Sequence, residues 1–543
     1  MQLGGIGYSE GVRRLGSRIV LPLVSGLLLL LSFPPVDWGL LAWIALVPLL
    51  LAIRTSSWKT ACGQGFIAGL VFYTGTLAWV VNAMYLYGKV PLLVSYVVLL
   101  LLAAYCALYL TLFTGLLRWV STGFSSFFLW GAPALWVSLE LARTYLFSGF
   151  PWALLGYSQH LQLPVIQVAD LTGVYGVTFL IVLVNVLIAA IIQTALAQVS
   201  IGEPRVRVPW VRATLALVVM SGSLAYGHWR LAPHPAQFSN QALRVGIVQP
   251  NVDQSRKWDA AFRRETIDRF ESLTTVAAKH SDFVIWPEAA TPFLFEVEED
   301  YRDELLRFVR EHAVPLLFGS PATIIEKQSN QLRLLNSAFL ISADGRILDR
   351  YDKIHLVPFG EYTPLKKILT FLDKLVVGIG DFFPGSAPEV MQGPGGRFGV
   401  VICFEVIFPN LVRHFVDLGA DYMVTITNDA WFGHSSAPYQ HFSMVVFRSV
   451  ENRVYFARAA NTGISGFIDP FGRVLQKSDI FTEDVLTGEI RTGGPRTFYT
   501  AYGDLFAYGC VILALFAPVL AGRSPKAQEA VRARYTLGRD HAR

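Results

Sequence analysis

Apolar runs long enough to cross a lipid bilayer dominate the first 230 residues of this chain of 543 residues. A membrane-spanning helix needs about 20 consecutive apolar residues, and such runs recur here with short connections between them. One more run lies near the C-terminus. The sequence therefore predicts eight transmembrane helices, at residues 17–35, 38–54, 61–82, 90–117, 125–146, 172–196, 211–229 and 504–521.

The amino-acid composition agrees with this prediction. Hydrophobic residues make up 53% of the chain and charged residues only 16%, whereas a soluble globular protein usually carries about 25% charged residues. The formal net charge of +5 is small for a chain of this length, and nucleic-acid-binding proteins typically carry clustered positive charge. We therefore expect a membrane protein that has no nucleic-acid partner.

Basic residues occur in alternate connections between the predicted helices, and such connections remain on the cytoplasmic side of a membrane. This pattern predicts that both termini are cytoplasmic and that the chain beyond residue 230 lies outside. Three ionisable residues of the membrane part, Glu140, Arg143 and Asp170, are expected to pair near the outer interface. The basic residues that set the orientation are Arg13, Arg14, Arg18, Arg54, Lys59, Arg118, Arg205, Arg207, Arg523, Lys526, Arg532 and Arg534.

The pattern changes after residue 230, where short β-rich runs alternate with amphipathic helical segments. Together they predict an α/β domain with a layered core. The chain is thus divided into a membrane domain of seven helices at 1–230, the α/β domain at 231–503, and an eighth helix with a tail at 504–543. Strands are predicted at 243–248, 282–286, 314–318, 336–341, 398–403 and 421–427, and helices at 258–280, 297–312, 406–419 and 437–452.

Three segments of the α/β domain carry residues suited to nucleophilic catalysis. Residues 284–288 form a hydrophobic strand that ends in Glu288, and residues 351–356 include Lys353. Residues 399–405 form a strand that ends in Cys403, where a helix begins. Because the ends of strands converge on one edge of an α/β sheet, we expect these three side chains to meet.

The three side chains would form a complete set for acyl transfer. A helix N-terminus favours the thiolate of Cys403, which is the nucleophilic form. Glu288 can accept the thiol proton, and Lys353 with the backbone N–H of Phe404 can stabilise an oxyanion. Each residue alone has an ordinary alternative: Glu288 can lie in a solvated turn, Lys353 on the surface, and Cys403 in the core as a small apolar side chain.

The order of Glu288, Lys353 and Cys403 in these segments resembles the nitrilase superfamily, which has a Glu-Lys-Cys triad on an αββα sandwich. The predicted membrane helices make the chain similar to the membrane-embedded branch of that superfamily, the apolipoprotein N-acyltransferases. The resemblance implies that a phospholipid donates an acyl group to the N-terminal amine of a diacylglyceryl apolipoprotein. It also implies a multi-pass protein of the bacterial inner membrane whose catalytic domain lies in the periplasm. Many members of the family have tyrosine where this chain has Phe404.

The resemblance also suggests roles for residues outside the triad. Glu361 is expected to orient Lys353, with a solvated loop glutamate as the alternative, and Glu405 to support the turn at Cys403 or simply to start a helix. Trp258 is a candidate for lining the acyl path, although a tryptophan on an amphipathic helix is more often part of the core. Asn428 and Trp431 either shape the substrate pocket or are structural.

Neither a metal nor another cofactor is expected, because His355, His434 and His441 form no recognisable metal-binding motif. The apolar stretch 369–383 is either a mobile lid that dips into the bilayer or a helix packed on the sandwich. Nothing in the sequence requires more than one copy of the chain, so we expect a monomer.

Two alternative functions remain open at this point. The first is a membrane-tethered amidase or nitrilase that hydrolyses a small amide, for which eight transmembrane helices would be unnecessary. The second is a non-catalytic lipoprotein chaperone, for which a missing member of the triad would have been evidence.

Overall fold

The computed structural model describes residues 5–120, 126–201, 210–232, 238–239, 241–326, 330–362 and 382–522. Up to residue 232 the described chain is helical, as predicted. Helix α4 begins at Trp58 because the side chain of Ser57 accepts a hydrogen bond from the backbone N–H of Thr60. The helices are α1 Gly5–Leu31, α2 Ala42–Ala45, α3 Val47–Arg54, α4 Trp58–Thr76, α5 Trp79–Asn82, α6 Leu92–Val120, α7 Ser126–Tyr145, α8 Leu163–Ile166, α9 Ala169–Thr172, α10 Val174–Ile201 and α11 Trp210–Leu231.

Within the described residues, two helical stretches are long and apolar enough to cross a membrane, Leu92–Val120 and Val174–Leu196. A third is obtained if Trp58–Thr76 and Trp79–Tyr87, which meet at a bend of 47°, are counted as one span. The predicted span at 61–82 is therefore a bent pair of helices rather than one straight helix. The predicted span at 38–54 is likewise divided, into α2 and α3.

The second half of the chain contains twelve strands and six helices among its described residues. All six predicted strands and all four predicted helices are present, although several have different ends. The strands are β1 Ala242–Gln249, β2 Phe283–Ile285, β3 Leu316–Glu326, β4 Gln331–Ile341, β5 Ile347–Asp352, β6 Val390–Gly393, β7 Gly396–Ile402, β8 Tyr422–Thr427, β9 Phe456–Ala460, β10 Gly466–Ile468, β11 Val474–Lys477 and β12 Asp484–Arg491. The helices are α12 Arg263–Ala278, α13 Glu299–His312, α14 Pro409–Asp417, α15 Ala437–Asn452, α16 Phe498–Tyr502 and α17 Leu505–Gly522.

The strands form two six-stranded sheets, in the orders β12-β1-β2-β3-β4-β5 and β11-β10-β9-β8-β7-β6. In each sheet three central strands are parallel, β1 to β3 in the first and β7 to β9 in the second. The strands that flank them pair in the antiparallel sense.

Alternate residues of a strand point to opposite faces of its sheet, and this alternation builds a four-layer sandwich. Phe283 of β2 lies between the sheets, with its ring 5.7 Å from the ring of Phe398 in β7. Trp286, just after β2, faces the other way, and its ring lies 4.6 Å from that of Phe270 in α12. On the far side of the second sheet, a Cβ at Gly399 would lie 2.8 Å from the Cβ of Phe415 in α14. The predicted αββα arrangement is therefore confirmed.

The helical half contacts the sandwich through α15. The indole N–H of Trp152 donates to Gln440 Oε1 at 2.7 Å, and Gln440 Nε2 donates to the carbonyls of Pro34 and Thr76 at 3.1 and 3.2 Å. All of these hydrogen bonds are buried, so one side chain of the sandwich connects three separate segments of the helical half.

A buried ion cluster forms a second connection between the two halves. Asp170 accepts from Arg453 Nη2 at 2.8 Å and pairs with Arg230 at 3.0 Å. Arg143 instead donates to the carbonyl of Trp152 at 2.7 Å, and Glu140 accepts from the backbone N–H of Leu155 and from Thr178. The expected pairing of Glu140, Arg143 and Asp170 is thus replaced by separate partners for each, because folding brings backbone groups and distant arginines closer.

Candidate active site

The three residues predicted to form the triad each follow a strand of the sandwich. Glu288 lies three residues after β2, Lys353 directly after β5 and Cys403 directly after β7. Cys403 has a φ of 53°, a left-handed backbone conformation that residues with a side chain rarely adopt. It also begins a turn of 3-10 helix, Cys403–Ile407. A sharp turn of this kind is frequent at functional sites, since it fixes the direction of one side chain.

Lys353 is buried between two carboxylates. Its Nζ lies 3.3 Å from Glu288 Oε1 and 2.8 Å from Glu361 Oε1. The side-chain amide of Asn336 donates to the same two oxygens, at 2.7 and 2.8 Å, while the backbone N–H of Val357 donates to Glu361 Oε2 at 2.8 Å. Glu361 is therefore a partner of Lys353, as predicted, and is not a solvated loop residue.

These contacts determine the charge states in the site. Burial alone would lower the pKa of Lys353, but the carboxylates of Glu361 and Glu288 raise it well above its usual value. Burial raises the pKa of the Cys403 thiol, and Glu288 raises it further while Lys353 partly opposes the change. These shifts favour a charged ammonium on Lys353 and a neutral thiol on Cys403, and a neutral thiol becomes a good nucleophile only when a base removes its proton.

Glu405 connects the two segments that carry Cys403 and Lys353. Its Oε2 accepts from the backbone N–H of Ile402 at 2.7 Å. Its Oε1 accepts from the backbone N–H groups of Ile354 and His355 and from the hydroxyl of Tyr351. Burial raises the pKa of Glu405 to about 7, although these four bonds favour the carboxylate. Of the two predicted roles, support of the turn at Cys403 is the one that these contacts match.

Asn428 completes the surroundings of Glu288. Its backbone N–H donates to Glu288 Oε2 at 2.8 Å, and its side-chain amide donates to Gln254 Oε1 at 2.6 Å. Asn461 Nδ2 donates to Asn428 Oδ1 at 3.0 Å. Asn428 therefore orients the carboxylate of Glu288, and its side chain is held by partners from two other segments of the domain.

Comparison with known proteins agrees with this geometry. Residues 25–187 match the model of the apolipoprotein N-acyltransferase N-terminal domain, and residues 244–496 match that of the carbon-nitrogen hydrolases. An apolipoprotein N-acyltransferase of Geobacter metallireducens is 46% identical to this chain, over 93% of this chain and 95% of its own. The chain belongs to the apolipoprotein N-acyltransferase family.

Other similar proteins include an apolipoprotein N-acyltransferase of Pasteurella multocida, which is 32% identical over 90% of this chain and 93% of its own. A solved amidase from Nesterenkonia sp. is 18% identical, covers 50% of this chain and 98% of its own, and has a TM-score of 0.37.

The two tryptophans predicted to bind substrate both lie at the surface, Trp258 near the start of α12 and Trp431 near the junction of the two halves. Trp258 lies in a turn before α12 and is 36% exposed, so the prediction that the helix begins at residue 258 is wrong. Asp259 accepts from the backbone N–H of Ala261, and this capping contact starts the helical segment later. Trp431 is also partly exposed, and its ring lies 5.8 Å from that of Tyr87 in the membrane half.

The phenyl ring of Phe404 is buried against aromatic neighbours. Its centroid lies 5.3 Å from that of Phe408 and 6.2 Å from that of His355. The side chain therefore fills apolar space beside the turn, and it offers no hydroxyl to the site.

Two polar residues near Glu288 were not predicted from the sequence. Asn336 lies within the largely apolar strand β4, and the pairing of β4 with β5 places it beside Lys353, whose backbone N–H donates to the carbonyl of Asn336 at 2.8 Å. Lys257 is 2% exposed, and its Nζ lies 3.3 Å from the main-chain carbonyl of Glu288. Burial lowers the pKa of Lys257 to about 8, against the opposing charge of Glu288. In the sequence, only the position of Lys257 next to the candidate residue Trp258 could have drawn attention to it.

Residues 369–381, which make up most of the stretch 369–383 proposed as a lid, lie outside the described residues, and only Phe382 and Phe383 at its end are described. The backbone N–H of Phe383 donates to the carbonyl of Leu334 at 2.7 Å, which fixes the end of this stretch beside β4. Within the described ranges, no three His, Cys, Asp or Glu side chains are arranged to hold a metal ion.

Proposed function

We propose that this chain transfers a fatty acyl group from a phospholipid to the N-terminal amine of a diacylglyceryl apolipoprotein, through a thioester on Cys403. The observation that carries the proposal is the convergence of Glu288, Lys353 and Cys403 at the ends of three strands, in a chain that is 46% identical to an apolipoprotein N-acyltransferase. No cofactor is needed for this chemistry.

In the first step the thiol of Cys403 attacks the ester carbonyl of the phospholipid while Glu288 accepts the thiol proton. The ammonium of Lys353 and the backbone N–H of Phe404 stabilise the oxyanion. The C–O bond then breaks, and the proton on Glu288 passes to the departing lysophospholipid. The neutral resting thiol and the adjacent carboxylate fit this order of events, since the proton has an acceptor at the moment of attack.

In the second step the amine of the lipoprotein attacks the thioester. A C–N bond forms, the C–S bond breaks, and Glu288 transfers the proton lost by the amine to the thiolate of Cys403. An amide is more stable than a thioester, so the transfer runs forward. The burial of Cys403, which is 8% exposed, limits the access of water that would otherwise hydrolyse the thioester.

The location we propose is the bacterial inner membrane, with eight transmembrane helices, both termini in the cytoplasm and the catalytic domain in the periplasm. The domains are those predicted, 1–230, 231–503 and 504–543. Large apolar side chains on the outside of α6, such as Leu93 at 77% and Leu101 at 65% exposed, support contact with lipid. We propose that a single copy of the chain is the active unit, because the described triad comes entirely from one chain.

The requirement for phospholipid distinguishes this function from its alternatives. We expect the delipidated protein to N-acylate a diacylglyceryl peptide only after phospholipid vesicles are added, and we expect no ammonia from a small aliphatic amide. Product is measured by mass spectrometry of the peptide. Ammonia release without phospholipid would support the amidase, whereas binding of the peptide without any reaction would support the chaperone.

A further inference from the structure

His441 of α15 is fully buried beneath the nucleophile, and the mechanism above does not use it. Its Nε2 lies 3.1 Å from the main-chain carbonyl oxygen of Cys403. A carbonyl oxygen can only accept a hydrogen bond, so Nε2 must carry a proton. His441 therefore donates directly to the backbone of the residue whose side chain forms the thioester.

The other ring nitrogen of His441 belongs to a buried polar network. Its Nδ1 lies 3.0 Å from both Asp429 Oδ1 and Arg458 Nη2. Arg458 Nη2 also donates to Asp429 Oδ2 at 2.7 Å, and the hydroxyl of Thr427 donates to Asp429 Oδ1 at 2.9 Å. Burial and the charge of Arg458 lower the pKa of His441, against Asp429. The neutral ring then donates at Nε2 and accepts from Arg458 at Nδ1, and the carboxylate of Asp429, which can only accept, orients the ring through its ion pair with Arg458.

The backbone at Cys403 needs support on both sides. Its φ of 53° is unfavourable for a residue with a Cβ, and such a conformation persists only where neighbouring contacts hold it. Glu405 binds the backbone N–H of Ile402 before the turn. His441 binds the carbonyl of Cys403 itself. The two contacts hold the backbone before and after the nucleophile, at the N–H of Ile402 and at the carbonyl of Cys403.

The membrane half also contacts this support. The ring of Trp152 lies over that of His441, at a centroid distance of 5.8 Å and an interplanar angle of 27°. The indole N–H of Trp152 donates to Gln440, the residue that precedes His441 in α15. A residue of the membrane half thus packs against the side chain that holds the carbonyl of Cys403.

We propose that His441 is a positioning residue, which holds the turn at Cys403 in its reactive conformation and is itself oriented by Asp429, Arg458 and the packed ring of Trp152. The proposal rests on the proposed function, because it concerns the rate at which Cys403 becomes acylated. It assigns no proton transfer to His441 during the reaction.

Three substitutions test this role. The readout is the rate at which phospholipid acylates Cys403, divided by the amount of protein whose Cys403 thiol reacts with an alkylating reagent. In His441→Gln the nitrogen of the new side-chain amide reaches the position of Nε2, whereas in His441→Asn it reaches only the position of Nδ1. In His441→Phe the new side chain has no hydrogen-bond donor. We expect His441→Phe and His441→Asn to lower the maximal acylation rate by about 100-fold with little change in KM. We expect His441→Gln to remain within about 10-fold of the unsubstituted protein.

His434→Phe is the matched control, because His434 is exposed and stacks on Phe481 rather than on the network. It should acylate at the rate of the unsubstituted protein. Equal losses in His441→Gln and His441→Asn, or full activity in His441→Phe, would overturn the inference. If His441→Phe does not fold, the comparison of the Gln and Asn variants decides. Absence of acylation in the unsubstituted protein would instead contradict the proposed function.

Discussion

Replacement of Cys403 by alanine is expected to lower the rate of lipoprotein N-acylation by at least about 10⁴-fold. In the proposed mechanism this substitution removes the sulfur that forms the thioester, and no other described side chain in the site can replace it, because Glu288 acts as the base and Lys353 is an ammonium. The measurement is the initial rate of peptide acylation in phospholipid vesicles.

The fold should tolerate this change. Alanine removes a single buried atom, and its Cβ occupies the same position at the φ of 53°. Cys403→Ser is the useful control, since it keeps a group of similar shape that is a far weaker nucleophile at neutral pH. We expect both variants to keep the melting temperature of the unsubstituted protein to within a few degrees. An alanine variant that retains a tenth of the activity would exclude Cys403 as the nucleophile.

Replacement of Lys353 by methionine is expected to reduce the acylation rate by roughly 10³-fold and to destabilise the fold by about 3 kcal/mol. In the proposed mechanism the rate falls because the oxyanion loses its cationic partner. Stability falls because Glu288 and Glu361 then share Asn336 without a buried cation between them. Acylation rate and denaturant unfolding measure the two effects separately.

Lys279→Met is the matched control, since it makes the same substitution at an exposed residue just after α12. It should change the free energy of unfolding by no more than about 0.5 kcal/mol. If Lys353→Met unfolds at the same denaturant concentration as this control, then the two carboxylates do not depend on the lysine for their burial.

The sequence predicted those residues of the candidate site that lie next to the ends of strands. Glu288 and Cys403 follow apolar strands, and the convergence of such ends on one edge of a sheet could be predicted without a structure. Lys353 follows β5, a strand that was not predicted because only one of its six residues is buried. The motif around Lys353, rather than the strand before it, led to this residue.

Other parts of the site depend on contacts that have no local pattern. Asn336 and His441 come from a strand and a helix whose apolar periodicity indicates only burial, and their partners are distant in sequence. The strand β11 was missed because all four of its residues are exposed, which removes the alternation that marks a strand. Trp258 was assigned to a helix because its position suits the apolar period, but capping by Asp259 decides where the helical segment starts.

The most direct test of the acyl-enzyme is the intact mass of the purified protein after incubation with phospholipid alone. The account predicts an added fatty-acyl mass on Cys403 that is removed by hydroxylamine and is lost, with formation of N-acylated product, when a diacylglyceryl peptide is added. A folded protein that acylates the peptide but never carries this adduct, even when stopped at early times, would contradict the two-step mechanism.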